Sequence, residues 1–206
     1  GTGSILEGGL CSRFEQRRCL EINEMDKFEN VSIQSFEDVG GEKFQEWFKE
    51  FDCDLLLSVF FNQIIPGDIL EIPEKGCFNV HPGKLPEFRG FSPVFWQLKQ
   101  GGGEAACTVH ELTEQLDKGP IYRQQTTDVR EQDTFFSLYS RLAIHGGDIL
   151  ESLINQVTND NKIELREQSG SENEYEGFTR DDVIDFYRQG HWFWKPGDLF
   201  GTPTLE

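Results

Sequence analysis

Asn79 and His81 stand two positions apart in the stretch "CFNVHPGKLPEFRG", which covers residues 77–90. The start of this stretch has the apolar character of a strand, and strand residues i and i+2 point to the same face, so we expect the two side chains to project side by side. A histidine can exchange a proton near neutral pH, and an asparagine amide can donate a hydrogen bond to a developing oxyanion. The pair therefore suits acyl transfer.

Pro82 ends the predicted strand directly after His81, and the carboxyl ends of parallel strands are where open α/β sheets bind ligands. A histidine base also needs an acid to orient it. Asp117, in "QLDKGP", is the best candidate because it lies in a predicted turn rather than on a strand face. Residue types alone leave a second interpretation open, in which Asn79 and His81 are an ordinary polar strand end and Asp117 an ordinary turn residue.

The elements before this stretch alternate between strands and helices. Residues 31–51 predict a short strand, a turn and an amphipathic helix, and "DCDLLLSVFF" is typical of a strand buried on both faces. Pro66 can begin a short helix that leads to the strand "CFNV". This order predicts an open, Rossmann-like α/β sheet of mostly parallel strands. The helix within 31–51 places four aromatic residues on one face: Phe44, Trp47, Phe48 and Phe51.

The elements after this stretch complete the predicted domain. Pro93 begins a helix that ends at the glycines of 101–103, and "AACTVHELTE" and "GPIYRQQTTDV" predict a β-hairpin. A long helix follows, which we expect to be interrupted at Gly146 and Gly147. The sequence becomes polar near residue 158 and ends in a segment with enough aromatic residues to pack. We therefore divide the chain into a catalytic domain (1–157) and a polar linker with a small C-terminal subdomain or tail (158–206).

No convincing apolar strand precedes residue 30, so we expect the amino-terminal part of the sheet to be incomplete. The first residues, "GTGS", are typical either of the glycine turn that follows such a strand or of a cloning remnant. An incomplete sheet edge exposes backbone groups and favours association, which makes a homodimer an open possibility.

Composition limits the partners and the compartment. The 206 residues carry a formal net charge of -18, which repels nucleic acid and acidic membrane surfaces, although a basic patch such as "SRFEQRR" leaves an anionic small molecule open. The longest apolar run, at 55–61, is too short to span a bilayer. Five cysteines without a C-x-x-C pair predict neither a metal site nor a disulfide framework, and they favour the cytoplasm. We expect Cys77 to be a buried, inert thiol.

The stretches "FNVHPGKLPEFRG" and "TVHELTEQLDKGPI" together resemble the signature of the folate-dependent formyltransferases, which combines N-x-H-P, L-P-x-(Y/F)-R-G and a later D-x-G-x-I. The resemblance covers about residues 50 to 150. It implies a Rossmann-like fold, 10-formyltetrahydrofolate as the donor, and no covalent enzyme intermediate. It also implies that His81 takes a proton from the attacking amine, that Asn79 stabilises the oxyanion, and that Asp117 positions His81.

The same resemblance implies a folate pocket between "FFNQIIP" and "ELTEQLDKG", bound largely by backbone groups. Four apolar residues are candidate walls, although core packing is the alternative for each: Phe60, Ile65, Leu85 and Leu116. Arg89, in "FRG", either braces the loop through hydrogen bonds to carbonyls or binds a ligand.

Formyltransferases of this kind act on initiator Met-tRNA, glycinamide ribonucleotide or nucleotide-linked amino sugars. The acidic charge and the fewer than fifty residues after the polar break argue against tRNA. The aromatic tail resembles that of sugar N-formyltransferases, so we favour an acceptor such as a dTDP-4-amino-4,6-dideoxyhexose. Glycinamide ribonucleotide formyltransferase and a catalytically silent folate-binding module are the alternatives. Candidate acceptor contacts, each with a core or solvated alternative, are His110, Glu111, Trp96 and Tyr122.

Overall fold

The computed structural model describes residues 34–100, 103–170 and 173–199. The strands are β1 (Leu56–Val59), β2 (Cys77–His81), β3 (Arg89–Gly90), β4 (Glu104–Glu111), β5 (Ile121–Asp128) and β6 (Glu174–Tyr175). The helices are α1 (Glu42–Lys49), α2 (Gly67–Leu70), α3 (Pro93–Gln100), α4 (Phe135–Thr158) and α5 (Arg180–Arg188), followed by a 3-10 turn (Pro196–Leu199). Within the described ranges, no helix has the length and apolar character that crossing a membrane requires.

Within the described residues, the main sheet has four strands in the order β1-β2-β4-β5. β1 and β2 are parallel, whereas β4 runs antiparallel to both β2 and β5. The predicted open α/β sheet and the predicted hairpin are confirmed. The prediction of mostly parallel strands is corrected to a mixed sheet, because the β4–β5 hairpin joins β2 in the antiparallel sense. The predicted strand at the start of 31–51 and the expected gap in the amino-terminal part fall largely on residues 1–33, outside the described residues.

Helix α4 packs directly on the sheet and is continuous from Phe135 to Thr158. The predicted interruption at Gly146 and Gly147 is therefore wrong. A Cβ added at Gly146 would lie only 2.7 Å from Cγ1 of Val80, so the glycine lets the helix approach β2 closely, whereas a Cβ at Gly147 would meet nothing within 4 Å. Close packing on the sheet thus outweighs the low helix propensity of glycine. The helix begins after a threonine N-cap, since Thr134 and Ser137 form a capping box.

The hydrophobic core extends into the C-terminal residues. Phe186 of α5 is fully buried, and its ring centroid lies 4.7 Å from that of Phe95 in α3. Phe178 and Phe193 join the same aromatic cluster. The aromatic piece after residue 158 therefore packs on the core of the sheet, as its composition predicts. The division of the chain at 157/158 stays a prediction.

A second apolar cluster lies around α1 and β1. Phe48 packs there with Leu56 and Ile69, and Phe44 and Trp47 pack against the cluster, as the predicted aromatic face requires. Phe51 lies beyond the end of the helix and is exposed, with its ring 4.5 Å from that of Trp47.

Two predictions for this region have different outcomes. Pro66 precedes α2 as its N-cap, which confirms the predicted helix start. The prediction that β1 is buried on both faces is corrected, because Val59 is 51% exposed.

Candidate active site

One row of polar residues crosses three neighbouring strands of the sheet. The strand register pairs Asn79 of β2 with Ser58 of β1 and with His110 of β4. His81 lies two residues after Asn79 and therefore on the same face, as predicted. All four side chains are buried, and His110 is only 1% exposed. Buried polar groups require hydrogen-bond partners, so each of these side chains must find one within the fold.

The Asn79 amide is oriented by both of its strand neighbours. The Ser58 hydroxyl donates to Oδ1 of Asn79 at 3.0 Å, and Nδ2 of Asn79 lies 3.3 Å from Nε2 of His110. His110 Nδ1 lies 2.8 Å from the Glu111 carbonyl oxygen, which can only accept, so Nδ1 carries the hydrogen. Nε2 of this ring then faces the Asn79 amide N–H. One N–H of Asn79 is thereby occupied, and the second can donate to another group.

The His81 ring is oriented in the same way. Its Nε2 lies 2.7 Å from the carbonyl oxygen of Phe88 and must carry the hydrogen of that bond. Its Nδ1 lies 3.5 Å from Oδ2 of Asp117. Burial lowers the pKa of His81 below its ordinary value, and the negative charge of Asp117 only partly opposes this. Neutral His81 therefore presents a lone pair on Nδ1, next to a carboxylate.

Asp117 lies in the turn between β4 and β5 and is a buried carboxylate. Its Oδ2 accepts a hydrogen bond from the Gly90 backbone N–H at 2.8 Å, and its Oδ1 lies 3.4 Å from Nε2 of His110. Burial alone would raise the pKa of Asp117, but the attraction of His81 in its protonated form, the contact with His110 and the Gly90 N–H outweigh it and hold this pKa at about 2. The structure thus brings Asn79, His81 and Asp117 together, while their catalytic roles remain predictions.

Two glycines of the sequence motifs allow the loops next to His81 and Asp117 to pack closely. A Cβ added at Gly119 would lie 1.9 Å from the Glu111 carbonyl oxygen, and one added at Gly83 would lie 2.5 Å from Nε2 of His81. A side chain at either position would displace Asp117 or His81. The glycine of the D-x-G motif is therefore required by the tight turn that carries the carboxylate.

Arg89 braces the site from the loop after His81. Its guanidinium is buried and donates through Nε and Nη2 to Oε1 of Gln168, at 3.1 and 2.7 Å. The bracing interpretation is thus favoured over ligand binding, although the acceptor is a side-chain amide rather than the predicted carbonyls.

Gln97 of α3 fixes the start of the same loop. Its Nε2 donates to the Pro82 carbonyl at 2.9 Å, and its Oε1 accepts from the backbone N–H groups of Lys84 and Ala106.

Sequence reasoning missed Ser58, Gln97 and Gln168. The first two carry a signal in hindsight, because each is a polar residue within an apolar run, "LLLSVFF" and "PVFWQLK". Gln168 carries none, since the segment around it is uniformly polar.

The predicted acceptor contacts separate into two groups. His110 belongs to the polar cluster rather than to an exposed strand end, and Glu111, the last residue of β4, is half-buried beside it. Trp96 stacks on Tyr175 with 4.6 Å between ring centroids, and Tyr122 packs near Phe78. Because Trp96 and Tyr122 both belong to the main core, the core alternative is favoured for them.

The predicted folate contacts are spread over several packing environments. Phe60 contacts Tyr139 in the main core, with ring centroids 5.1 Å apart, whereas Ile65 belongs to the second cluster. Leu85 is buried, and Leu116 is half-buried directly before Asp117. Contact of these four side chains with a folate stays a prediction.

The described residues hold no group of three or more His, Cys, Asp or Glu arranged to bind a metal ion. Cys77 is buried, and burial raises the pKa of its thiol to about 11, which agrees with an inert core thiol.

The formyl transferase family model matches residues 22–154, which is more than half of the chain. A methionyl-tRNA formyltransferase from Ehrlichia ruminantium is 34% identical over 115 residues, covering 56% of this chain and 38% of the relative. A GDP-perosamine N-formyltransferase from Brucella melitensis is 33% identical over 127 residues, covering 62% of this chain and 49% of the relative.

A solved structure shares the fold. The crystal structure of a 4-N formyltransferase from Francisella tularensis superposes with a TM-score of 0.62 at 19% identity, covering 84% of this chain and 73% of that chain. The present chain spans half or less of the length of the two curated relatives described above. Because the family model covers both the Asn79–His81 strand and the Asp117 turn, the cluster lies within the matched region. The chain belongs to the formyl transferase family.

Proposed function

We propose that this protein transfers a formyl group from 10-formyltetrahydrofolate to the amine of a nucleotide-linked amino sugar. The observation that carries the proposal is the buried cluster in which the Nδ1 lone pair of His81 faces the Asp117 carboxylate beside the oriented Asn79 amide. Family membership supports formyl transfer, and the similarity to a GDP-perosamine N-formyltransferase supports a sugar amine as the acceptor.

In the proposed reaction the acceptor amine attacks the formyl carbon, and negative charge develops on the formyl oxygen. Asn79 is suited to stabilise this charge because one of its N–H groups is held by His110 and the other can donate to the oxygen. The Ser58 hydroxyl binds the carbonyl oxygen of the Asn79 amide, so that the N–H groups of this amide are the ones available to the formyl oxygen. The Asn79 N–H group is therefore oriented before the negative charge appears on the formyl oxygen.

His81 takes the proton that the attacking amine loses, and it does so at Nδ1 because Nε2 already donates to Phe88. The imidazolium that forms is stabilised by Asp117, whose low pKa keeps it ionised. Collapse of the tetrahedral intermediate breaks the bond between the formyl carbon and N10 of the folate, and the proton on His81 is returned to N10. The products are the formamide and tetrahydrofolate, and no bond to the enzyme forms.

Three alternatives to the amino-sugar acceptor can be distinguished by experiment. Methionyl-tRNA formyltransferases are as similar to this chain as the sugar enzyme is, whereas the net charge of -18 favours a small acceptor over RNA. Glycinamide ribonucleotide is a third candidate, and folate binding without turnover is a fourth.

The test incubates the protein with 10-formyltetrahydrofolate and one acceptor at a time. The acceptors are a dTDP-4-amino-4,6-dideoxyhexose, GDP-perosamine, glycinamide ribonucleotide and initiator Met-tRNA, and both tetrahydrofolate release and product mass are measured. We expect formylation of an amino sugar and its loss in His81→Ala. Release that is unchanged in His81→Ala would refute the mechanism, and folate binding without release for any amine would support the silent binding module.

The partners and the compartment belong to the same proposal. We propose a cytoplasmic protein without nucleic-acid or membrane partners, supported by the acidic charge and by the free thiols of Cys53, Cys77 and Cys107. The incomplete sheet edge predicted from the sequence makes a homodimer the oligomeric state to test. Light scattering of the purified chain would measure the oligomeric state directly.

A further inference from the structure

A segment after α4 contacts both loops that carry the catalytic cluster. We name its described residues, 166–170 and 173–175, the C-terminal strap. At one end, Arg166 exchanges two backbone hydrogen bonds with Ile121, at 2.7 and 2.8 Å, directly after the Asp117 turn. At the other end, Glu174 and Tyr175 form β6, which pairs with β3. The strap therefore bridges the turn of Asp117 and the loop that follows His81.

Gln168 lies in the middle of the strap and uses its whole amide in this bridge. Its Nε2 donates to the carbonyl oxygens of Asp117 and Gly119, at 2.8 and 2.7 Å. Its Oε1 accepts from Nε and Nη2 of Arg89. An amide has two N–H donors and two acceptor lone pairs, so all four are matched. The contacts also fix which end of the amide is oxygen.

These contacts hold the backbone on both sides of the Asp117 carboxylate. Asp117 has a φ of 51°, in the left-handed region, so its turn needs external support. Gln168 binds the carbonyls at positions 117 and 119, and Arg89 immediately precedes Gly90, whose N–H donates to Oδ2 of Asp117. One side chain thus connects the two backbone segments that set where this carboxylate lies.

We infer that Gln168 is a positioning residue that, from the C-terminal strap, holds the Asp117 carboxylate against His81. The strap lies outside residues 22–154, the region that the family model matches. The role in activity rests on the proposed function, whereas the placement of the carboxylate can be measured without it.

Gln168→Met tests the inference because it keeps the length and the neutral charge of the side chain but removes all four hydrogen bonds. We expect kcat/KM for the formyl acceptor to fall about 10- to 100-fold, as for a catalytic group displaced by about 1 Å. The control is Glu167→Gln, at the exposed neighbouring position, which we expect to match the wild type. Thermal melting shows whether each variant is folded.

A second measurement reports on the position of the Asp117 carboxylate through the pKa of His81. NMR follows the titration of the His81 ring, which is faced by Asp117 and His110, with the Phe88 carbonyl as its third neighbour. Because the Asp117 charge raises the pKa of His81 against the effect of burial, this pKa should fall in Gln168→Met and stay unchanged in Glu167→Gln. If Gln168→Met fails to fold, Gln168→Asn, whose amide is one methylene shorter, should show the same direction of shift.

The activity measurement and the His81 pKa measurement distinguish failure of the proposed function from failure of the positioning role. If no amine is formylated by the wild type, the proposed function fails, while a lowered His81 pKa in Gln168→Met still supports the positioning role. A folded Gln168→Met variant with the wild-type His81 pKa and wild-type kcat/KM would overturn the inference. The same losses in Glu167→Gln would also overturn it, because the effect would then not belong to the Gln168 contacts.

Discussion

The Nε2 atom of His81 lies 2.7 Å from the carbonyl oxygen of Phe88. A carbonyl only accepts, so the contact assigns the hydrogen of the neutral ring to Nε2 and the lone pair to Nδ1. Nδ1 faces the Asp117 carboxylate at 3.5 Å. A proton taken up by His81 therefore arrives next to the charge that stabilises it, which links the orientation of the ring to its proposed role as a base.

The pH dependence of catalysis should follow the protonation of His81. Only the neutral ring can accept a proton, and burial lowers the pKa of His81 below 6.5. We therefore expect kcat/KM to stay high at neutral pH and to fall only on acidification below pH 6.5. In Asp117→Asn the carboxylate that raises this pKa is lost, so the acidic limb should move to still lower pH. An acidic limb above pH 6.5 in the wild type would contradict this assignment.

Acid should remove the stabilising contribution of Asp117. Its pKa is about 2 in the folded chain and near 3.8 when unperturbed, so the ionised form stabilises the fold above pH 3.8, and this contribution is lost as pH falls toward 2. The free energy of unfolding, measured in urea for wild type and Asp117→Asn, should differ most at pH 5 to 6 and converge near pH 2. A difference that stays constant over this range would refute the ionised state.

Asn79→Asp should disable the oxyanion donor while keeping the size of the side chain. The carboxylate has no N–H to donate, and it adds a negative charge next to the developing oxyanion and across His110 from Asp117. Loss of one such donor typically lowers kcat by about 10²- to 10³-fold. Steady-state kinetics would measure the effect, with the exposed Asn161→Asp as the matched control. Equal losses in both variants would show a general effect of added charge.

Gly146→Ala and Gly147→Ala form a matched pair on one helix. The methyl group at position 146 would lie 2.7 Å from Val80, whereas the one at position 147 would enter open space. We expect Gly146→Ala to lower the free energy of unfolding by about 1–3 kcal/mol through overpacking. Gly147→Ala should raise it by up to about 1 kcal/mol through helix propensity. Urea denaturation measures both, and two changes of the same sign would contradict the packing explanation.

Local sequence patterns predicted the features that depend on neighbouring residues. They did not predict the contacts that depend on strand pairing or on residues far apart in the chain. Strand alternation was enough to place Asn79 beside His81. The partners Ser58 and His110 follow from the register between strands, which no local pattern contains. The contact of Gln168 with Asp117 joins residues 51 positions apart, within a segment that has no hydrophobic periodicity. Glycine propensity predicted a break in α4 because the closeness of the sheet is a property of the folded core alone.

Phe186 provides a test of whether the C-terminal residues fold with the sheet or as a separate subdomain. Its ring is fully buried and lies 4.7 Å from Phe95 and 5.2 Å from Phe193, between centroids. Phe186→Ala should therefore lower the free energy of unfolding by about 3–5 kcal/mol. Tyr187→Ala, at a position that is 44% exposed, should cost much less and serves as the control.

The shape of the urea transition separates the two arrangements. If residues after 158 share the core of the sheet, Phe186→Ala shifts one cooperative transition to lower urea, followed equally by far-UV circular dichroism and by tryptophan fluorescence. An independent tail would instead give two transitions, with the second at the wild-type midpoint. Because Gln168 and α5 lie on the same side of the 157/158 boundary, one shifted transition would also mean that the strap is held in place by the main core.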